Sequence, residues 1–183
     1  PTHIHQANKL DLYTCMECGQ ILRIRKGCKR HPHFYHVNPG FCRQKGKSLT
    51  HLQIQYFVQN RIGKNNCQLE SPFPSIRRIA DCFWKKENII FEIQCSPISP
   101  KEVLDRNRDY ASLGYQVIWI LHEKVFNKQR MHPIERCLSK SPFYYTNIDE
   151  TGKGWIYDQF YIEHMNFKLY RSRFFPINPE CPK

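Results

Sequence analysis

The spacing of apolar residues predicts a helix at the start of the central part of the chain. Over residues 47–62, apolar side chains recur at intervals of three and four, at Leu49, Leu52, Tyr56 and Val58 or Phe57. Gly63 follows this run and is expected to end the helix. The pattern therefore predicts one amphipathic helix whose buried stripe contains these side chains.

A strict alternation of side chains predicts a strand over residues 89–95. Ile89, Phe91, Ile93 and Cys95 alternate with Ile90, Glu92 and Gln94, which is the period of two that a strand requires. A second candidate strand, residues 77–83, precedes it across a turn at residues 85–88. The resulting hairpin is expected to bring Asp81 next to Glu92.

The remaining elements extend this hairpin into a layered domain. We expect strands over residues 65–70 and 115–121, and a helix over residues 99–113 that opens with a capping box and a proline. The order helix, strand, strand, strand, helix, strand favours an α/β fold with a mixed sheet and helices on both faces.

Acidic and amide side chains share the polar face of the predicted hairpin. Asp81, Glu92 and Gln94 offer two carboxylates and an amide, and hard divalent cations such as magnesium prefer oxygen ligands. The alternative is an ordinary charged pair at a sheet edge, although neighbouring carboxylates repel each other without a cation.

The N-terminal segment carries pairs of soft metal ligands. Cys15 and Cys18 are separated by two residues, and His33 and His36 follow at a spacing close to that of zinc sites. Rival ligands at workable spacing are Cys28, His31 and Cys42. Nearby prolines disfavour a recognition helix, so the segment is expected to form a zinc-ribbon-like module with a structural Zn²⁺.

Charge and cysteine content indicate which partners the protein binds and which cellular compartment it occupies. The chain has 28 Lys and Arg against 16 Asp and Glu, a net charge of +12, which favours nucleic acid first and an acidic membrane surface second. A merely soluble basic protein is the alternative. No apolar run is long enough to span a membrane, and nine cysteines, an odd number, argue for a reducing compartment, so we expect a cytoplasmic protein.

These patterns divide the chain into three expected parts. Residues 1–45 form the zinc-ribbon-like module, residues 46–125 the α/β core, and residues 126–183 a C-terminal extension of unassigned role. Within the extension, residues 131–140 are expected to form a helix, and residues 155–173 one or two hairpin strands rich in tyrosine, phenylalanine and basic side chains.

Four motifs in this order resemble the CoiA-like competence proteins of the PD-(D/E)xK nuclease superfamily. The matching stretches are Arg78-Ile79-Ala80-Asp81, Phe91-Glu92-Ile93-Gln94-Cys95-Ser96, Arg106 with Tyr110 and the following Trp119-Ile120, and the cysteine and histidine pairs of the N-terminal module. The resemblance covers about residues 13–121. It implies a nuclease-like αβββαβ core.

The resemblance also implies roles for single residues. Asp81 and Glu92 would hold Mg²⁺ or Mn²⁺, Glu70 would be a third acid, and Gln94 stands where most of the superfamily carries lysine. Arg106 would neutralise phosphate charge and Tyr110 would hydrogen-bond the site. The full set of expected DNA-binding residues is Arg78, Lys85, Lys86, Arg106 and Tyr110. For Arg78, Lys85 and Lys86 the alternative is a solvated surface charge.

The sequence thus supports three hypotheses of function. The first is a metal-dependent DNA endonuclease acting in uptake, recombination or repair. The second is a DNA-binding module that kept the fold and lost cleavage, with Gln94 as its sign, and the third is a zinc-stabilised protein-interaction module. The expected partner is DNA and not a membrane; a second copy of the chain and recombination proteins are further candidates.

Overall fold

The computed structural model describes residues 7–15, 18–27, 30–37 and 47–181, with only the backbone at residues 27 and 30–33. The chain divides into two compact units. The first comprises residues 1–46 and 72–79, and the second comprises residues 47–71 and 80–183.

The first unit contains a three-stranded antiparallel sheet in the order β1-β2-β3. Its strands are β1 (Tyr13–Thr14), β2 (Ile21–Gly27) and β3 (Arg30–His36). The register pairs Tyr13 with Leu22, and Leu22 with His36. Residues 30–36 form a strand and not a helix, as the prolines of this segment predicted.

A seven-stranded mixed sheet is the main architectural element. The remaining strands are β4 (Cys67–Phe73), β5 (Arg78–Trp84), β6 (Ile89–Gln94), β7 (Gln116–His122), β8 (Phe143–Thr146), β9 (Ile156–Asp158), β10 (Tyr161–His164), β11 (Phe167–Arg171) and β12 (Phe175–Pro176). The sheet order is β12-β9-β8-β7-β6-β5-β4. Strand β6 runs parallel to β7, and β7 runs parallel to β8, whereas β5 and β9 run antiparallel to their inner neighbours. The predicted mixed α/β sheet is confirmed.

Three α-helices accompany the strands within the described ranges. They are α1 (Leu49–Ile62), α2 (Pro100–Ala111) and α3 (Pro133–Cys137). Ser48 and Ser99 cap α1 and α2, because each side chain accepts a hydrogen bond from a backbone N–H of the first turn. Gly63 ends α1 with φ of 95°, a conformation that glycine adopts without steric penalty. The predicted order of α1, three strands, α2 and β7 is confirmed.

The buried stripe of α1 agrees with the predicted one only in part. Val58 is buried, as one form of the pattern predicted, but Leu49 and Tyr56 are 59% and 51% exposed, and the other buried apolar positions are Ile54 and Ile62. The first half of the buried face is polar, since His51 and Gln55 are also buried there. Apolar spacing alone did not identify the buried face of α1, because that face contacts charged groups as well as the apolar core.

Strands from the C-terminal segment complete the same sheet. Strand β8 pairs in parallel with β7, and β9 pairs with β8. The predicted helix over residues 131–140 is shorter, since α3 ends at Cys137. The predicted hairpin region contains β9 and a separate two-stranded sheet of β10 and β11.

Candidate active site

Asp81 lies near the middle of β5 and is 5% exposed. Cys82 pairs with Phe91, so Asp81 and Glu92 occupy the next positions along the two antiparallel strands. The backbone N–H of Ile93 donates to Asp81 Oδ2 at 2.7 Å and fixes the orientation of the carboxylate. The other oxygen, Oδ1, faces helix α1.

Three polar side chains contact Asp81 from α1 and from the residue just before its cap. His51 and Gln55 lie four residues apart, which places them along one face of the helix. Lys47 Nζ donates to Asp81 Oδ1, and His51 Nε2 lies 3.2 Å from the same oxygen. Gln55 Nε2 donates to the backbone carbonyl of Asp81 at 3.1 Å. Strand β5 is therefore bound to α1 through polar contacts at this point.

Glu70, in β4, joins the same group from a third element. Its Oε1 accepts hydrogen bonds from Lys47 Nζ and from Gln55 Nε2. Glu70 has φ of 51°, a left-handed conformation that is uncommon for residues other than glycine. Such conformations cluster at functional sites. One ammonium group thus contacts a carboxylate oxygen of Asp81 and one of Glu70.

Glu92 is held by two side chains of helix α2. It is 2% exposed; Tyr110 OH donates to Oε1 at 2.9 Å, and Arg106 Nη1 donates to Oε2 at 2.6 Å. Arg106 Nε also donates to Glu102 at 3.0 Å. Arg106 and Tyr110 lie one helical turn apart, so both can reach the same carboxylate.

The neighbouring acids Asp81 and Glu92 differ in their protonation equilibria. Burial acts to raise the pKa of Asp81, but the charge of Lys47 and the hydrogen bond from His51 outweigh it, and the pKa lies well below its usual range. Burial raises the pKa of Glu92 to about 7, because it outweighs the Arg106 guanidinium, and the Asp81 charge acts in the same direction. Acids pushed apart in this way are typical of catalytic sites.

The other expected site residues lie in different environments. Gln94 Nε2 donates to the backbone carbonyl of Ser96 at 2.5 Å and to its hydroxyl at 3.2 Å. Lys85 and Lys86 are exposed in the turn that joins β5 to β6. Arg78 is 1% exposed, and Tyr110 is fully buried. Contact of these residues with DNA stays a prediction.

Lys47 is the residue of this site that the sequence analysis missed. Lys47 precedes the helix cap and is not part of the apolar pattern, so the periodicity of the sequence did not predict a role for it. Its four-residue spacing to His51 and Gln55 was the available signal. The spacing of His51 and Gln55 predicts that they share a helix face, with His51 either an ordinary surface or core histidine or a residue that lines the site.

A second group of candidate ligands lies in the first unit. The ligand atoms of Cys15, Cys18 and His36 all lie within 4.8 Å of one another, and Cys18 Sγ is 3.4 Å from His36 Nε2. Within the described ranges, no other three His, Cys, Asp or Glu residues meet this distance, the acids of the sheet included. The side chain of His33, the fourth ligand predicted, lies outside the described part of the chain.

The rival ligands are not described either. Cys28 and Cys42 lie outside the described residues, and His31 is described by its backbone alone. Three of the four predicted zinc ligands are thus brought together as a possible metal-binding group. The choice of the fourth ligand stays a prediction.

The described helices also bear on membrane association. In the part of the chain that the structure describes, every helix is too short or too polar to cross a bilayer.

The fold and site define a mixed α/β domain with buried acids on the hairpin of β5 and β6. The family model of the competence protein CoiA, nuclease-like domain, matches residues 42–176. The chain belongs to this family, and the resemblance seen in the sequence is confirmed. No curated protein and no solved structure matches the chain significantly.

Proposed function

We propose that the chain is a metal-dependent DNA nuclease that hydrolyses phosphodiester bonds. The observation that carries the proposal is the buried Asp81 carboxylate, which shares one cation with Glu70 and lies beside Glu92 on the neighbouring strand. Membership of a nuclease-like family supports the same chemistry. The net charge of +12 suits a polyanionic substrate.

The acids of the site fit a hard divalent cation. The Lys47 ammonium already bridges Asp81 and Glu70, so these carboxylates are arranged around one positive charge. Oxygen ligands are those that Mg²⁺ and Mn²⁺ prefer. Asp81 and Glu70 would hold the ion, with Glu92 as the adjacent acid. A bound ion would supply Lewis-acid activation of a water molecule and of the scissile phosphate.

The protein's own groups orient the acids. The Ile93 N–H fixes Asp81, while Arg106 and Tyr110 fix Glu92. Gln94 offers an uncharged amide that can orient a water molecule but adds no positive charge. In the reaction, a water oxygen bonds to phosphorus and the bond from phosphorus to one ester oxygen breaks. The leaving oxygen takes up a proton, which yields one hydroxyl end and one phosphomonoester end.

Plasmid cleavage tests this proposal. We expect the parent to cut supercoiled plasmid or single-stranded DNA with Mg²⁺ or Mn²⁺, and Asp81→Asn and Glu92→Gln to lose at least about a hundredfold in rate. Glu87→Gln is the matched control, because Glu87 is exposed in the turn between the same two strands. Retention of full activity in Asp81→Asn would contradict the assignment of the site.

One observation favours a second candidate, a DNA-binding module without cleavage. The Gln94 amide is neutral and donates to Ser96, so it brings no charge to a phosphate. This candidate predicts that DNA binding falls with rising salt while no cut product forms with either metal.

We further propose that zinc occupies the group formed by Cys15, Cys18 and His36. Thiolate and imidazole ligands suit Zn²⁺, and a fourth protein ligand, His33 in the sequence prediction, would close the site and make it structural. The purified chain is then expected to carry near-stoichiometric zinc, measured by elemental analysis. Cys18→Ser should lose it, and Cys137→Ser, a change outside the group, should retain it; equal zinc content in both variants would contradict the site.

A further inference from the structure

The Lys47 side chain occupies an unusual position in the candidate active site. It is 17% exposed, and its Nζ bonds to an oxygen of Asp81 and an oxygen of Glu70. Oxygens from two separate acids therefore converge on one positive charge. This is the arrangement that a divalent cation would require, but an ammonium group fills it.

We propose that Lys47 holds the divalent-cation position in the metal-free protein and, once a metal ion displaces it, becomes the cation that contacts the substrate phosphate. The first half of this inference rests on the geometry of the acids alone. The second half rests on the proposed nuclease function, since it needs a phosphodiester substrate.

The guanidinium group of Arg106, which contacts Glu92, already has acidic partners within the protein. Arg106 is held by Glu92 and Glu102 on α2, with bonds of 2.6 and 3.0 Å. A guanidinium bound in this way orients Glu92 and is not available to move to a substrate. Phosphoryl transfer nevertheless depends on positive charge placed against the developing negative charge of the transition state.

Lys47 has the properties that such a movable cation needs. It precedes the Ser48 cap, so its backbone lies outside the helix, and its ammonium ends a flexible four-carbon stem with three donors. The Gln94 amide is neutral and donates to Ser96, so it does not supply such a cation. From its position before the cap, Lys47 Nζ reaches Asp81 Oδ1, the same oxygen that lies 3.2 Å from His51 Nε2.

Direct metal titration tests the first half without any need for activity. We would titrate zinc-loaded protein with Mn²⁺ and follow free Mn²⁺ by electron paramagnetic resonance. In Lys47→Met the ion no longer competes with an ammonium, so affinity is expected to rise about tenfold or more. Lys47→Arg, which keeps the charge, should bind as weakly as the parent, and the exposed Lys64→Met should also match the parent.

Two further measurements secure the interpretation. Adding Asp81→Asn to Lys47→Met should abolish the tight Mn²⁺ binding if that binding is at this site. Circular dichroism of each variant should show that the fold is retained. Unchanged Mn²⁺ affinity in a folded Lys47→Met variant would overturn the inference, whether or not the parent cuts DNA.

Cleavage at saturating Mn²⁺ tests the second half. Lys47→Met is expected to cut about a hundredfold more slowly than the parent, even though it binds the metal more tightly, while Lys64→Met cuts at the parent rate. Cleavage by Lys47→Met at the parent rate would overturn the phosphate role. A parent that cuts no DNA would overturn the proposed nuclease, and the cation-position claim would then be decided by the Mn²⁺ titration alone.

Discussion

At the scale of single residues, Asp81 and Glu92 show how the environment distinguishes two neighbouring acids. Lys47 and His51 approach Asp81, whose pKa is lowered although burial opposes this. Burial dominates at Glu92, whose pKa is raised even though Arg106 lies against it. Asp81 therefore stays ionised over the whole physiological range, which is the state that a cation ligand needs.

His122, at the end of β7, provides a pH-dependent contribution to stability. Its Nδ1 accepts a hydrogen bond from the Lys124 N–H at 3.1 Å, so the ring proton must lie on Nε2, which donates to the Ile148 carbonyl at 3.0 Å. Burial lowers the pKa of His122 below its ordinary value, against the effect of the Ile148 carbonyl. The folded protein therefore prefers the neutral ring.

We predict that His122 destabilises the fold on acidification. Its contribution is fully present above pH of about 6.5, the ordinary histidine pKa, and is lost as the pH falls below that value toward the lower pKa of the folded state. Denaturant unfolding of parent and His122→Gln at several pH values measures this. The difference in unfolding free energy between the two proteins should shrink on acidification, and a difference that stays constant with pH would contradict the prediction.

At the scale of secondary-structure elements, α1 allows a direct comparison of pattern with structure. Ile54 is fully buried in the core cluster, while Leu49, which belongs to the predicted stripe, is 59% exposed. We predict that Ile54→Ala lowers the unfolding free energy by about 2–5 kcal/mol, because it leaves a cavity. Leu49→Ala should change it by less than about 1 kcal/mol.

Chemical denaturation of the parent, Ile54→Ala and Leu49→Ala tests which face of α1 is buried. Equal losses in the two variants would mean that the stripe predicted from spacing is also buried. A larger loss of unfolding free energy in Leu49→Ala than in Ile54→Ala would contradict the orientation of α1 that the structure shows.

The sequence predicted which helices and strands form in the central domain better than it predicted which helix face is buried and which strands pair. The hairpin of β5 and β6 was recognisable because alternation and a turn are local signals. Strand β8 was missed, since its pairing with β7 depends on a distant segment. The polar half of the buried α1 face and the position of Lys47 depend on contacts with β4 and β5, which no helical periodicity encodes.

At the scale of the whole molecule, the distribution of charge limits how DNA could bind. The chain carries a net charge of +12, but two of the four basic residues expected to contact DNA are largely buried. Arg78 is buried, and Arg106 forms ion pairs with Glu92 and Glu102. Lys85 and Lys86 are exposed. Binding to phosphates must therefore depend on exposed side chains such as these two.

We predict that DNA affinity depends steeply on salt and that Lys85 and Lys86 contribute to this dependence. Each phosphate that a basic side chain neutralises releases counterions, so the logarithm of the binding constant falls with the logarithm of salt by about 0.9 per contact. If both lysines contact DNA, the variant Lys85→Ala with Lys86→Ala should reduce this slope by up to about 1.8. Fluorescence anisotropy at several salt concentrations measures the slope.

A matched double variant separates local contact from overall charge. Lys140→Ala with Lys153→Ala removes the same charge from exposed positions elsewhere in the chain. If only net charge steers binding, both double variants lower the affinity equally. If the turn between β5 and β6 touches the phosphates, the slope changes only when Lys85 and Lys86 are replaced, because screened charges more than about 10 Å from the DNA contribute little at 0.1 M salt. Equal slopes in the parent and the Lys85 and Lys86 variant would place the DNA on another surface.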